Sequence, residues 1–255
     1  MTKTILITGA TGALGRAMVA EIAKAGFRGR QAVRDEKKAA AGHEWVRFDY
    51  DDPATFGPAL EGAWGLVLIA PPLDSRAPEM LAPVVEKAKA SGIGHIVLVS
   101  AMGVNHNEDA PLRRVEHMVM DSGIAYTVLR PNFFMENFSV GFLAGSIRSQ
   151  GGIFLAAADG KTSFISVQDI ARVAAEAFRK PLVGVEIDLT GGDALDHSEV
   201  AMLIGEAADK TVTYHPLTEQ QMAEGAQAMG VPQPAIDYMC MLYGIVRAGY
   251  AAAVT

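Results

Sequence analysis

The chain has 255 residues, half of them hydrophobic, enough for one large α/β body or a cofactor-binding body with a small added lobe. A formal net charge of -7 argues against nucleic acid as a partner, because that affinity comes from lysines and arginines that displace counterions from phosphates. Cys240 is the only cysteine, which excludes an internal disulfide and a cysteine-built zinc site and suits a reducing, cytoplasmic compartment.

The first element is a strand over Thr4 to Thr8, which leads directly into Gly9-Ala-Thr-Gly12-Ala-Leu-Gly15 and then into a helical run from Arg16 to Ala25. Placement of the three glycines on a strand-to-helix turn points to a dinucleotide. Gly9 permits the tight turn, Gly12 lets the backbone approach a pyrophosphate, and Gly15 lets the helix lie close on the sheet, while the helix N-terminus offers free N–H groups. Arg16 follows with no Gly-Lys-Ser/Thr run, so this is not an ATP-hydrolysing loop.

The second strand, Gln31 to Val33, ends at Arg34, where an acid would select a free ribose 2'-hydroxyl and an arginine accommodates a 2'-phosphate. Asp35 follows, with Lys37 and Lys38 nearby, so NADP(H) is favoured and NAD(H) is the other option. A third strand, Trp45 to Phe48, delivers Asp49, suited either to the adenine amino group or to capping a helix at Pro53.

Further strands are expected at Leu66 to Ala70, His95 to Ser100, Tyr126 to Arg130 and Val185 to Leu189, with helices beginning near Ala77, Ala110, Val167 and Ser198. Gly26, Gly92 and Gly123 each stand where a helix needs a left-handed residue to stop. This alternation predicts an α/β fold: a doubly wound parallel sheet of the Rossmann type, with a small, mostly helical C-terminal lobe. The expected division is a cofactor domain over residues 1–150 and a substrate lobe over 151–255, with the segment near 185–190 returning to the sheet.

A last helical stretch follows Pro232 and Pro234, and its Ile236, Met239, Met241, Leu242, Ile245 and Val246 serve as core or as a homodimer contact. It is too short, and interrupted by Asp237, to span a bilayer, so no membrane role is expected. The six histidines show no ligand pair at helical spacing, so no metal is expected.

Thr8-Gly-Ala-Thr-Gly-Ala-Leu-Gly15, Ala32-Val-Arg34, Tyr126-Thr-Val-Leu-Arg-Pro131, Phe134-Met-Glu-Asn137 and Phe164-Ile-Ser-Val-Gln-Asp-Ile170 together resemble the NmrA-like atypical short-chain dehydrogenase/reductases. The resemblance implies NADP(H) and a reductase of quinones, dyes or iminium compounds, or an inactive sensor of NADP redox state. By position it implies that Thr8, Gly9, Thr11, Gly12, Ala13 and Leu14 line the pyrophosphate and Arg34 meets the 2'-phosphate. It also implies that Ala70, Pro71 and Pro72 border the ribose, and that Ser100, Ala101, Pro131, Asn132 and Phe133 frame the nicotinamide.

One part of the wider superfamily's apparatus is missing. A tyrosine four residues before a lysine normally exchanges the proton, and no such pair exists here: Tyr126 and Tyr243 are each followed at that distance by an arginine, Arg130 and Arg247. Where related reductases carry a retained lysine, this chain has Asp109-Ala-Pro111. The expected activity is therefore NADPH-dependent hydride transfer to a quinone, iminium or conjugated small molecule without that pair; the alternative is a non-catalytic NADP(H)-sensing regulator. Phe133, Phe134, Met135, Phe138, Phe142 and Tyr243 are the pocket candidates. Asn105, His106, Asn132 and Asn137 are candidates to orient the acceptor, with Tyr126 and Tyr243 the remaining acid candidates.

Overall fold

The structure, a computed structural model, describes residues 2–180 and 182–255. In chain order its elements are β1 (Thr4–Ile7), α1 (Ala13–Lys24), β2 (Arg28–Val33), β3 (Glu44–Arg47), α2 (Phe56–Leu60), β4 (Gly65–Ile69), α3 (Ala77–Ala90), β5 (His95–Val99), α4 (Pro111–Asp121), β6 (Ala125–Pro131), α5 (Ala144–Gln150), β7 (Gly152–Leu155), α6 (Val167–Arg179), β8 (Val185–Leu189), α7 (His197–Ala208), β9 (Thr213–Pro216), α8 (Glu219–Ala228) and α9 (Gln233–Arg247). They form two compact units. The first holds the chain up to Pro72, Arg76–Pro131 and Val167–Leu189; the second holds Leu73–Ser75, Asn132–Ser166 and Thr190–Thr255.

In the first unit seven parallel strands run in the order β3-β2-β1-β4-β5-β6-β8. β1 and β5 are buried along their whole length, which is why they read as unbroken apolar runs: a parallel sheet hides both faces. Leu6, Leu66, Leu68, Ile96 and Leu98 share a core with Leu81, Val84 and Val85 of α3 and Val115 and Val119 of α4. Side chains alternate across a strand, so Ile5 points to the opposite face, where a Cβ on Gly65 would meet both Ile5 and Phe178 of α6 at 2.8 Å. On that side α6 packs against α1 through its buried Ile170, Ala171 and Ala174. Strand order reverses between β1 and β4, the crevice where open parallel sheets bind ligands. Gly26, Gly92 and Gly123 do end their helices in the left-handed region, at φ of 88°, 74° and 79°.

The second unit carries the two-stranded parallel sheet β7-β9 and helices α5, α7, α8 and α9. Its core joins Ile153 and Leu155 to Val200 and Ala201 of α7, Met222 of α8, and Tyr243 and Val246 of α9. Capping boxes start two of its helices, Asp196 with Glu199 and Thr218 with Gln221.

Three features differ from the expectation. The chain leaves the first unit after Pro131 and not at residue 150, and it returns with α6 as well as β8, because the apolar stripe of α6 packs on α1. β7 and β9 were not expected as strands: each is four residues long and gains its ladder from a partner distant in sequence, which local pattern does not register. The apolar stripe of α9 divides, with Ile236 and Val246 buried and Met241 and Ile245 exposed. None of the described helices is long and apolar enough to cross a membrane.

Candidate functional site

The turn between β1 and α1 has the geometry a pyrophosphate needs. Gly9 sits at φ of 61°, and Gly12 donates its N–H to the Gly9 carbonyl at 3.1 Å while serving as the N-cap of α1 with no side chain in the way. The first-turn N–H groups of a helix lack intrahelical acceptors, and here they sit beside an exposed Gly12 and Ala13. A Cβ on Gly12 would meet only the Gly9 carbonyl, at 3.5 Å, whereas one on Gly15 would lie 2.1 Å from it and 2.6 Å from Ala10 Cα. Gly12 thus opens the surface and Gly15 closes the helix onto the turn. Thr11 is half-buried, and its carbonyl accepts from Arg16 Nε at 3.0 Å.

Two expected pyrophosphate residues are committed elsewhere by their side chains. The Thr8 hydroxyl is fully buried, donates toward the carbonyls of Val67 and Ile69, and accepts the Ile69 N–H at 2.8 Å, so it clips the ends of β1 and β4 together. Leu14 is buried in the core. Either can face a phosphate only through its backbone.

At the end of β2, Arg34 is exposed and forms no ion pair with any described residue. Lys37 and Lys38 lie exposed in the following turn, and Asp35 spends a carboxylate oxygen on capping that turn at the Lys37 N–H, 3.0 Å away. Asp49 accepts from the Asp51 N–H at 3.2 Å, and the Thr55 hydroxyl ties down the same loop. The helix start at Pro53 has Asp52 as its N-cap, without a side-chain bond.

Beyond the other strand ends, Ala70 and Pro71 are half-buried and Pro72 is exposed. Ala101 is half-buried and Pro131 buried. The Ser100 hydroxyl is turned inward toward Glu116 without a well-aligned hydrogen bond. Asn105 follows in a short 3₁₀ turn with its Oδ1 buried and unpartnered, and His106 beside it is exposed. Under these strand ends lies a buried charge network. Glu116 of α4 accepts from Arg130 at 2.8 and 2.7 Å and from Arg113 at 2.9 Å, and Arg130 also pairs with Glu186 of β8. Burial works to raise the Glu116 carboxyl, but hydrogen bonds from Arg130 and Arg113, with the Ser100 hydroxyl turned toward it, outweigh that burial and hold the group below its ordinary range.

Neither Tyr126 nor Tyr243 makes a side-chain hydrogen bond to a lysine or arginine among the described residues. Tyr126 is a half-buried β6 residue packed against the core, and Arg130, four residues on, is occupied by Glu116 and Glu186. Tyr243 is buried on α9, and that burial pushes its phenol up from its usual value, the wrong direction for ready ionisation. Arg247 donates to the Ala156 carbonyl and to Glu219.

The second unit brings some pocket candidates together and leaves others apart. Phe133 lies 6.0 Å from Tyr243 between ring centroids, and Phe138 lies 5.2 Å from Phe164. Phe134 is half-buried, Met135 and Phe142 are exposed, and the half-buried Asn137 accepts from Leu143 N–H through its carbonyl. Asn132 is buried with its amide fully engaged inside the protein.

A profile of the NmrA-like family matches residues 1–246. The chain belongs to the NmrA-like family. It is 32% identical to the NAD(P)H azoreductase of Xenophilus azovorans, covering 98% of this chain and 90% of the relative. It is 30% identical to quinone oxidoreductase 2 of Escherichia coli K12, covering 92% and 85%. The solved structure of the NADPH-dependent quinone oxidoreductase from Escherichia coli complexed with NADPH superposes with a TM-score of 0.82 at 28% identity, over 98% of this chain and 91% of that one. The Citrobacter triphenylmethane reductase complexed with NADP(H) reaches 0.83 at 24% identity over 98% and 92%, a likeness of fold.

Two features of this NmrA-like chain escape sequence reasoning. The Glu116–Arg130 pair joins a helix to a strand, and no spacing links those residues. His197 is 2% exposed among Phe138, Phe164, Tyr214 and Tyr243, with Nδ1 unpartnered, and burial pushes its imidazole down to about 4. Its only sequence signal is its place just after the helix cap Asp196.

Proposed function

We propose that this NmrA-like protein transfers hydride from NADPH directly to a quinone, an iminium or another conjugated small molecule, without a tyrosine–lysine pair. It is an NAD(P)H-dependent oxidoreductase with NADP(H) as cofactor. The observation that carries the NADPH reading is the pairing of an open glycine turn at Gly12 with an exposed Arg34 that forms no ion pair among the described residues, at the adjacent strand end. When bound, the cofactor supplies two electrons and one hydrogen as hydride from its nicotinamide C4.

The chain's own residues do the rest. Gly9, Thr11, Gly12, Ala13 and the backbones of Thr8 and Leu14 grip the pyrophosphate; Arg34, with Lys37 and Lys38, takes the 2'-phosphate; Asp49 meets the adenine. Ala70, Pro71 and Pro72 border the ribose, and Ser100, Ala101, Pro131, Asn132 and Phe133 frame the nicotinamide by their place in the chain. The second unit serves as the substrate lobe, where Phe133, Phe134, Met135, Phe138, Phe142 and Tyr243 receive a flat apolar acceptor, with Asn137 to orient it. An iminium needs no proton after hydride arrives, and a reduced quinone takes one from water. Proximity and an apolar surface are therefore sufficient.

The test is loss of NADPH absorbance across a panel of quinones, imines and dyes, using stereospecifically deuterated NADPH. Turnover is expected with transfer of one defined hydrogen. Tyr126→Phe and Tyr243→Phe are expected to keep kcat within about tenfold, because a positioned general acid contributes about 10²- to 10⁴-fold. A loss of more than about a hundredfold in either variant, with fold and NADPH affinity intact, makes that tyrosine the acid. No turnover with any acceptor, with NADPH still bound, makes the protein a sensor.

A further inference from the structure

We propose that the segment Ala251–Thr255, which follows α9, is a latch that sets the loop Phe133–Phe138, and that it acts through a buried node made by Asn132 and Ser163. The inference rests on the reading of that loop as part of the acceptor pocket.

Asn132 begins the stretch Asn132–Ser166 of the second unit. It is 6% exposed and Ser163 is not exposed at all. Asn132 Nδ2 donates to Ser163 Oγ and to the Ala251 carbonyl, each at 2.8 Å, and its Oδ1 accepts the Phe133 N–H at 3.0 Å. Ser163 Oγ passes its own proton to the Ala253 carbonyl at 2.6 Å, and the Ser163 N–H bonds the Ala251 carbonyl at 3.0 Å. From this node the loop is zipped to its neighbour: Ile165 N–H to the Phe133 carbonyl and Met135 N–H to the Ile165 carbonyl, both at 2.9 Å. The far end of the segment is pinned by Thr255 N–H on the Thr190 hydroxyl, also at 2.9 Å.

The residue types suit this work. A carboxamide offers two donors and an acceptor on one planar group, and a carboxylate in its place would set negative charge against a carbonyl and a hydroxyl oxygen. The latch acts through backbone: Ala251 is buried, but Val254 is 51% exposed, and no side chain of Ala251 to Ala253 bears a polar group. Take the carbonyls away and a buried amide and a buried hydroxyl lose their partners, which the loop can restore only by opening toward water. Asn132 is thus a positioning residue. Acceptor binding depends on the latch, while cofactor binding at the glycine turn of the first unit does not.

The experiment compares the full chain with Ser163→Ala, with a chain ending at Ala252, and with the two combined. It reads KM and kcat for a naphthoquinone, NADPH affinity by fluorescence, and amide hydrogen exchange at Phe133, Met135 and Ile165. Each single change is expected to raise the quinone KM about tenfold, the weight of one or two hydrogen bonds, and to hasten exchange at those amides. NADPH affinity is expected to fall by a smaller factor than the quinone KM rises, because the glycine turn and Arg34 hold the cofactor at the end away from Asn132 and Phe133. The combination is expected to match the worse single change, because both cut the same Ser163–Ala253 bond. Unchanged KM and exchange, fully additive effects, or a parallel loss of NADPH affinity would each overturn the latch. If the unaltered protein reduces no acceptor, the pocket reading falls with the KM arm, and amide exchange alone decides whether the latch exists.

Discussion

Arg130 closes a two-point ion pair on Glu116, Nε to one carboxylate oxygen at 2.8 Å and Nη2 to the other at 2.7 Å, with the Glu116 side chain wholly removed from solvent. Cutting one side of such a pair strands the other charge. Glu116→Ala is therefore expected to cost about 3 to 5 kcal/mol in denaturant unfolding, toward the lower figure because Glu186 still faces Arg130. The joint replacement Glu116→Leu with Arg130→Met is expected to recover much of that loss. An additive double variant would mean that the pair does not act as a unit. The Glu116 carboxyl sits below its unfolded value, so its contribution is complete above about pH 4.5 and is lost as pH falls through the folded value.

Gly12 and Gly15 are expected to separate binding from folding. Gly12→Asp leaves room for the fold but sets a carboxylate where the pyrophosphate approaches, so calorimetric titration is expected to show no NADP binding by a folded protein. Gly15→Ala drives a methyl into the Gly9 carbonyl, 2.1 Å away, so melting temperature and NADP affinity are expected to fall together. Unchanged affinity in folded Gly12→Asp would remove the phosphate-turn assignment.

Arg34 is expected to discriminate between cofactors. Charge-assisted hydrogen bonds to a phosphate contribute about 1.5 to 3 kcal/mol, so Arg34→Ala is expected to weaken NADP about ten- to a hundredfold and leave NAD nearly unchanged. Equal losses for both would mean that Arg34 does not read the 2'-phosphate.

Two buried histidines set an acid limit on stability. Burial lowers His95 and His197 to about 4, with Lys3 adding to the effect at His95. The His95 tautomer follows from its partner: the Thr127 hydroxyl gives its proton to the Leu182 carbonyl at 2.6 Å, so His95 Nε2 donates to Thr127 at 2.9 Å and Nδ1 is bare. Unfolded imidazoles titrate near 6.5, so between about pH 6.5 and 4 the unfolded chain binds more protons and stability falls as pH drops, by up to about 3 kcal/mol per ring. Denaturant midpoints measured across that range are expected to decline, and His197→Phe is expected to flatten part of the decline. An unchanged slope in that variant would show that His197 takes no part.

The parallel α/β sheet of this protein was legible in the order of its residues. β1, β4 and β5 are buried on both faces, so their apolar runs are continuous, and the glycines of the phosphate turn are local requirements of one backbone path. The three left-handed helix stops, the break at Arg34 and the missing tyrosine–lysine pair needed no coordinates either. Tertiary structure alone decided what depends on partners far apart in sequence. It paired β7 with β9, gave α6 to the sheet, turned the Thr8 and Ser100 side chains inward, and locked Arg130 onto Glu116. It also committed the Asn132 amide to the Ala251 carbonyl and the Ser163 hydroxyl. A side chain's composition shows which hydrogen bonds it can make; only the folded chain determines which acceptors reach it, because burial limits each donor to the groups packed beside it.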